Sequence, residues 1–137
     1  MTVEYSADEI MTISAARMLR NGAVCFVGIG LPSKAANLAR LTQGPDIVLI
    51  YESGPIGAKP SILPLSIGDG ELSATADTTV STSEIFTFWL QGGRIDVGFL
   101  GAAQIDRFYM PARLRCRAAR IDVFFEELCL RSPFRHY

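Results

Sequence analysis

At 137 residues the chain has the length of one domain, large enough for a real core but not for two. Apolar residues make up 49% and charged residues 20%, with a formal net charge of −1, a balance that excludes disordered and fibrous chains and suits a soluble α/β protein. No apolar run approaches the roughly 18–20 residues of a membrane helix, and neither a membrane nor a nucleic acid is an expected partner.

The near-neutral charge hides two unlike pieces. Residues 1–106 hold six Lys/Arg against eleven Asp/Glu, whereas residues 107–137 hold seven Arg against three acids. All twelve glycines precede residue 106, while Cys116, Cys129 and the lone His136 follow it. The expected division is therefore 1–106 as a domain and 107–137 as an Arg-rich tail.

In chain order, Ser6-Ala-Asp-Glu9 predicts a capping box, in which serine and glutamate satisfy each other's backbone amides. Ile10, Ile13, Ala16, Met18 and Leu19 extend a helix to Arg20, and Asn21-Gly22 stops it. Ala23 to Val27 is an apolar run of strand type, Gly28-Ile-Gly30-Leu-Pro32 a turn, and Ser33 to Leu41 a second helix. Ile47 to Tyr51 is a second strand, followed by Glu52 to Gly57 as a loop and by irregular chain from Ala58 to Asp77. Ser81-Thr-Ser-Glu84 predicts another capping box before a helix to Leu90, with Gly92-Gly93 as its end. Ile95 to Leu100 is a third strand, and Gly101 to Asp106 a turn.

Alternating strands and helices predict an open, mainly parallel sheet with helices on both faces. Ligands in such sheets sit beyond the carboxyl ends of the strands. Right-handed crossovers put the loops at Gly28–Pro32, Glu52–Gly57 and Gly101–Asp106 along one such edge.

Gly28-Ile-Gly30 between strand and helix invites a dinucleotide reading, but Ser33 stands where that fingerprint wants a glycine. An anion or oxyanion site at the helix start fits better. Glu52 directly follows an apolar strand and precedes Ser53-Gly54; position alone leaves it open to being a solvated loop residue. Trp89, Phe86 and Phe88 suit a core better than a cofactor platform. Arg94 and Asp96 fit a surface pair. The three cysteines lack metal-ligand spacing, and their odd number and the acidic N-terminus favour a reducing, cytoplasmic setting.

Val27-Gly-Ile-Gly-Leu-Pro32, Ile50-Tyr-Glu-Ser-Gly54 and Gly92-Gly-Arg-Ile-Asp-Val-Gly-Phe-Leu-Gly-Ala-Ala-Gln-Ile-Asp106 together resemble the β subunits of family I CoA-transferases, the glutaconate type above all. The resemblance implies that Glu52 is the catalytic glutamate. It implies that Gly28, Gly30, Ser53, Gly54, Gly101, Ala102 and Gln104 line the acyl-CoA site, the glycine turns offering amides to the thioester oxygen. It further implies an α-subunit partner, an acyl-CoA and a carboxylic acid as substrates, and neither a metal nor a permanently bound cofactor.

Family members continue with more sheet and glycine-rich loops where this chain has Phe108-Tyr-Met-Pro. An incomplete sheet with an unpaired edge after residue 100 is therefore expected, with 107–137 as a product of a shifted reading frame; a basic helix over Ile121–Leu130 is the competing expectation. Other readings are a CoA-thioester hydrolase or ring-opening enzyme of steroid catabolism on the same fold, whose β subunits lack this glutamate, an inactive truncated product, and a sugar-phosphate-sensing domain of the isomerase-like superfamily.

Overall fold

The computed structural model describes residues 4–102 and 120–125, with Ala102 and residues 120–125 described by their backbone. Ser6 caps the first helix, α1 (Ala7–Met18): its Oγ accepts the Glu9 amide at 3.2 Å, and Glu9 Oε2 accepts the Ser6 amide at 2.8 Å. The expected capping box is present, and the helix ends two residues earlier than Arg20. The strand β1 (Val24–Val27) follows, then α2 (Leu31–Thr42), with Gly30 as N-cap and Pro32 in the first turn.

β2 (Val48–Ile50) turns back at once into β3 (Pro55–Ile56), an antiparallel neighbour where a loop was expected. The segment expected to be irregular holds α3 (Gly70–Ala74), whose N-cap Asp69 accepts the Glu71 amide at 3.1 Å, and is followed by β4 (Thr78–Thr79), antiparallel to β3. Ser81 caps the short α4 (Thr82–Glu84), accepting the Glu84 amide at 3.2 Å. The chain then enters a π-helix over Ile85–Leu90 instead of the expected α-helix. Amides reach back five residues, from Gln91 to Phe86 O and from Arg94 to Trp89 O, both at 2.9 Å.

β5 (Val97–Ala102) runs two residues beyond the expected strand, and β6 (Arg120–Phe125) lies parallel to it. Two expectations fail here: the outer edge of β5 is paired, and residues 120–125 are strand and not helix. The sheet order is β4-β3-β2-β1-β5-β6, parallel from β2 to β6 and antiparallel at the β3–β4 edge.

Side-chain alternation divides the core between the two faces. Cys25, Val27, Leu49, Tyr51 and Phe99 meet Ala15, Ala16 and Leu19 near α1 and Ala35, Ala36 and Ala39 of α2 on one face. Small alanines let the α2 backbone approach the sheet closely. Phe26, Ile50 and Ile56 meet Ile85 and Leu90 of the π-helix and Ile95 on the other face, with Phe86 and Trp89 packed against them. Phe88 departs from the expected aromatic core: it is half exposed, under the Arg94 guanidinium at 4.1 Å from its ring centre. Asp96 turns to Arg20 instead, 3.7 Å away, and accepts the Val24 amide at 2.9 Å.

Candidate active site

Parallel pairing of β2, β1 and β5 brings their carboxyl ends to one edge, with Phe26 opposite both Ile50 and Gly98. Beyond that register β1 continues to Gly28, whose amide bonds Phe99 O of β5, while β2 ends at Ile50 and the chain turns at Glu52. The two loops best placed for chemistry therefore lie side by side, as the crossover argument expects.

Glu52 sits at the tip of a tight hairpin. The Gly54 amide donates to Tyr51 O at 3.0 Å, and the Tyr51 amide donates to Pro55 O at 3.0 Å. Glu52 and Ser53 thus occupy the two central positions of a β-turn, and Gly54 takes the positive-φ place (121°) that lets the strand resume. Pro55 fits after it because that position donates no hydrogen bond to the turn.

Glu52 and Ser53 are both half-buried. Among the described residues the Glu52 carboxylate has no hydrogen-bond or ion-pair partner. The Ser53 hydroxyl oxygen is shut away from solvent and unpaired among the same residues. A buried hydroxyl without a partner costs on the order of 1–3 kcal/mol, so this one carries an unmet bond at the turn.

Beside the hairpin, Gly28 closes β1 against β5, its amide donating to Phe99 O at 2.7 Å. A Cβ at Gly28 would stand 3.1 Å from that oxygen and 3.5 Å from Leu100 Cα, so the residue is a spacer between strands. Its amide is spent and cannot serve a thioester oxygen, contrary to expectation. The Gly54 amide is likewise spent, on Tyr51 O. Gly30, at φ 86° and ψ −135°, adopts a conformation that L side chains avoid, and there it opens α2. The amides of Ile29 and Gly30 have no acceptor among the described residues, so the loop keeps donors to offer. Gly101 and Ala102 lie inside β5, paired with Phe124 and Phe125, rather than in a turn. Gln104 lies outside the described residues, as do Cys116, Cys129 and His136.

A polar cluster that the sequence reading missed underlies the hairpin. The Tyr51 hydroxyl and Ser33 Oγ lie 3.2 Å apart, and Asn37 Nδ2 donates to Ser33 O at 3.0 Å and to the Tyr51 hydroxyl at 3.4 Å. Arg40 donates to Asn37 Oδ1 at 3.3 Å and to Pro60 O at 3.1 Å. Burial pushes the Tyr51 phenol above its ordinary value, and its bonds to Ser33 and Asn37 offset part of that. Polar residues four apart among the alanines of a helix were the available signal. Ser33, the residue that breaks the dinucleotide fingerprint, is fully buried in this cluster.

Cys25 is free and buried, its thiol pushed up by desolvation and thereby unreactive. Among the described residues no three His, Cys, Asp or Glu side chains gather as a metal site, and no helix is long and apolar enough to cross a membrane.

A family profile described as Coenzyme A transferase matches residues 9–112. The β subunit of the 3-oxoadipate CoA-transferase of Pseudomonas knackmussii is 81% identical over 104 residues, covering 76% of this chain and 40% of that protein. The β subunit of the glutaconate CoA-transferase of Acidaminococcus fermentans is 31% identical over 109 residues, covering 76% and 41%. The crystal structure of that organism's glutaconate enzyme superposes with a TM-score of 0.69 at 29% identity, over 77% of this chain and 42% of the other. The decarboxylase AibA/AibB superposes with a TM-score of 0.65 at 25% identity, over 75% and 43%. The chain spans about 40% of the length of the curated relatives it matches. With three-quarters of its residues under the profile, the chain belongs to the coenzyme A transferase family.

Proposed function

We propose that this chain is the β subunit, or part of it, of an acyl-CoA:carboxylate CoA-transferase whose nucleophile is Glu52. The observation that carries the reading is the carboxylate itself. It has no partner among the described residues, stands at the tip of a hydrogen-bonded turn, and follows a strand whose parallel neighbour leads into a loop with unspent amides.

The chemistry follows from those groups. A Glu52 oxygen attacks the carbonyl carbon of a donor acyl-CoA; the C–S bond breaks, giving an acyl-glutamyl anhydride and CoA thiolate. The thiolate attacks the glutamyl carbonyl, releasing the donor acid and leaving a Glu52–CoA thioester. An acceptor carboxylate then runs the steps in reverse, so each difficult transfer is split into two easier exchanges. Every step passes through a tetrahedral oxyanion, for which the Ile29 and Gly30 amides are the proposed donors. Loss of one such donor typically costs about 10²–10³-fold in rate. Ser53 Oγ is proposed to bond the substrate. Gln104 is proposed to line the same site, and Gly101 and Ala102 to border it through their backbone.

The 81% identity to a 3-oxoadipate enzyme supports a 3-oxo dicarboxylic acid as the acid substrate, with an α subunit completing the site, and the odd number of cysteines supports the cytoplasm as its setting. The decarboxylase on the same fold means that the fold leaves the reaction open. The hydrolase reading is disfavoured by Glu52. Residues 107–137 are proposed to be an out-of-frame segment; the family match runs a few residues into it and ends at residue 112. Reading the coding DNA in its other frames after codon 107 checks this, and the absence of a glycine-rich continuation there would refute it.

The nucleophile is tested by supplying acyl-CoA to the chain assembled with its α subunit, quenching with hydroxylamine and mapping the product. A hydroxamate at Glu52 is the expected result. Turnover with that residue unmodified would overturn the assignment.

A further inference from the structure

The buried Tyr51–Ser33–Asn37 cluster has no role in the chemistry above, yet it joins the two elements that carry it. Tyr51 precedes the nucleophile, and both of its backbone groups close the Glu52 turn. Its side chain crosses to α2 and meets Ser33 and Asn37 in the first two turns after Gly30. Phe, Ala and Leu would fill the same space without burying a hydroxyl or an amide. A polar cluster in such a place contributes little net stability over an apolar one, but its bonds accept only one relative placement of strand and helix.

We propose that Tyr51, with Ser33 and Asn37, is a positioning residue that fixes the Glu52 turn against the start of α2, so that carboxylate and free amides keep the spacing the tetrahedral intermediate needs. The proposal rests on Glu52 being the nucleophile. A hydrophobic contact would let α2 slide along the sheet; a hydroxyl held at 3.2 Å and an amide also bonded to the Ser33 carbonyl do not. Arg40 extends the brace to Pro60, which ties down the chain leaving the hairpin.

The test uses Tyr51→Phe, Ser33→Ala and the double variant in the chain assembled with its α subunit. Tyr51→Phe should slow formation of the Glu52–CoA thioester on the order of 10-fold in single turnover, with KM for acyl-CoA changed less than about twofold. Ser33→Ala should do the same, and the double variant should be no slower than either single one, because the two hydroxyls act as one unit. In parallel, amide exchange in Tyr51→Phe should quicken at Gly54 and Lys34 and stay unchanged at Leu49 and Phe26. A rate within twofold of the parent, a loss carried by KM, additive losses, or exchange that quickens equally along the chain would each overturn the proposal. The exchange experiment decides it even in an assembly that turns over slowly. Failure of the nucleophile assignment is separable, because it appears as normal thioester-independent turnover in Glu52→Gln.

Discussion

Gly54 and Val80 are backbone partners across the sheet edge: the Val80 amide donates to Gly54 O at 3.1 Å, and the Gly54 α-carbon faces the Val80 carbonyl with no room for another atom. At φ 121° the position is also one that L side chains rarely adopt. Gly54→Ala therefore meets a steric and a conformational penalty together, with backbone rather than a yielding side chain on the other side. A loss of about 2–4 kcal/mol is expected in urea unfolding, along with thioester formation, since the same turn carries Glu52. Parental stability in this variant would show that the turn is not constrained as described.

Glu52→Gln is expected to behave in the opposite way. The side chain is half-buried and makes no bond among the described residues, so the nearly isosteric amide should leave the unfolding midpoint within about 0.5 kcal/mol of the parent. Transfer should fall to background. A large stability change would reveal a structural partner for the carboxylate.

Alkaline pH should weaken the fold through Tyr51 and Cys25. Burial raises both groups above their ordinary values of 10.0 and 9.0, so the unfolded chain loses these protons first as pH rises. The folded state then holds more protons than the unfolded one, and stability falls with increasing pH from about 9 upward. Tyr51→Phe should flatten the part of that slope above pH 10, as followed by urea midpoints from pH 8 to 11. An equal slope in both proteins would contradict the burial of the phenol.

The segment between β3 and α3 should make the isolated chain associate. Ile62, Leu63, Leu65 and Ile67 are all exposed, Leu65 by 91% and Ile62 by 74%. Four large apolar side chains within six residues form a patch that water disfavours. Concentration-dependent elution in size exclusion is expected for the chain alone. Ile62→Ser with Leu65→Ser should reduce it while changing stability by no more than about 0.5 kcal/mol. Unchanged elution would place the association elsewhere.

What could be foreseen from sequence was what local chemistry decides. The Ser6–Glu9 box, the apolar runs that became β1 and β2, and the edge holding Gly28, Gly30 and Glu52 all follow from neighbours within a few residues. The β3–β4 edge did not, because Pro55–Ile56 and Thr78–Thr79 are two-residue strands that pair with each other across more than twenty residues. Glycine in Gly28-Ile-Gly30 signalled close approach but not its object; only the fold shows that the Gly28 amide belongs to Phe99. Tyr51 ended an apolar run read as a strand. Its hydroxyl became meaningful once β2 lay against α2.

The π-helix over Ile85–Leu90 makes the sheet depend on a residue count. Each of its turns holds about one residue more than an α-turn, and the surplus lets Ile85 and Leu90, five apart, face the sheet together with Ile95. An ordinary α-helix over the same residues would be locally the easier structure. It would also turn everything after it by about 100°, carrying Leu90 off the sheet and pulling Gly92 from its tight approach to the Phe88 carbonyl. β5 would then enter beside β1 out of step, and Phe99 would no longer pair with Val27. The spacing of the strands along the sheet is thus kept by a locally disfavoured helix that works as a ruler.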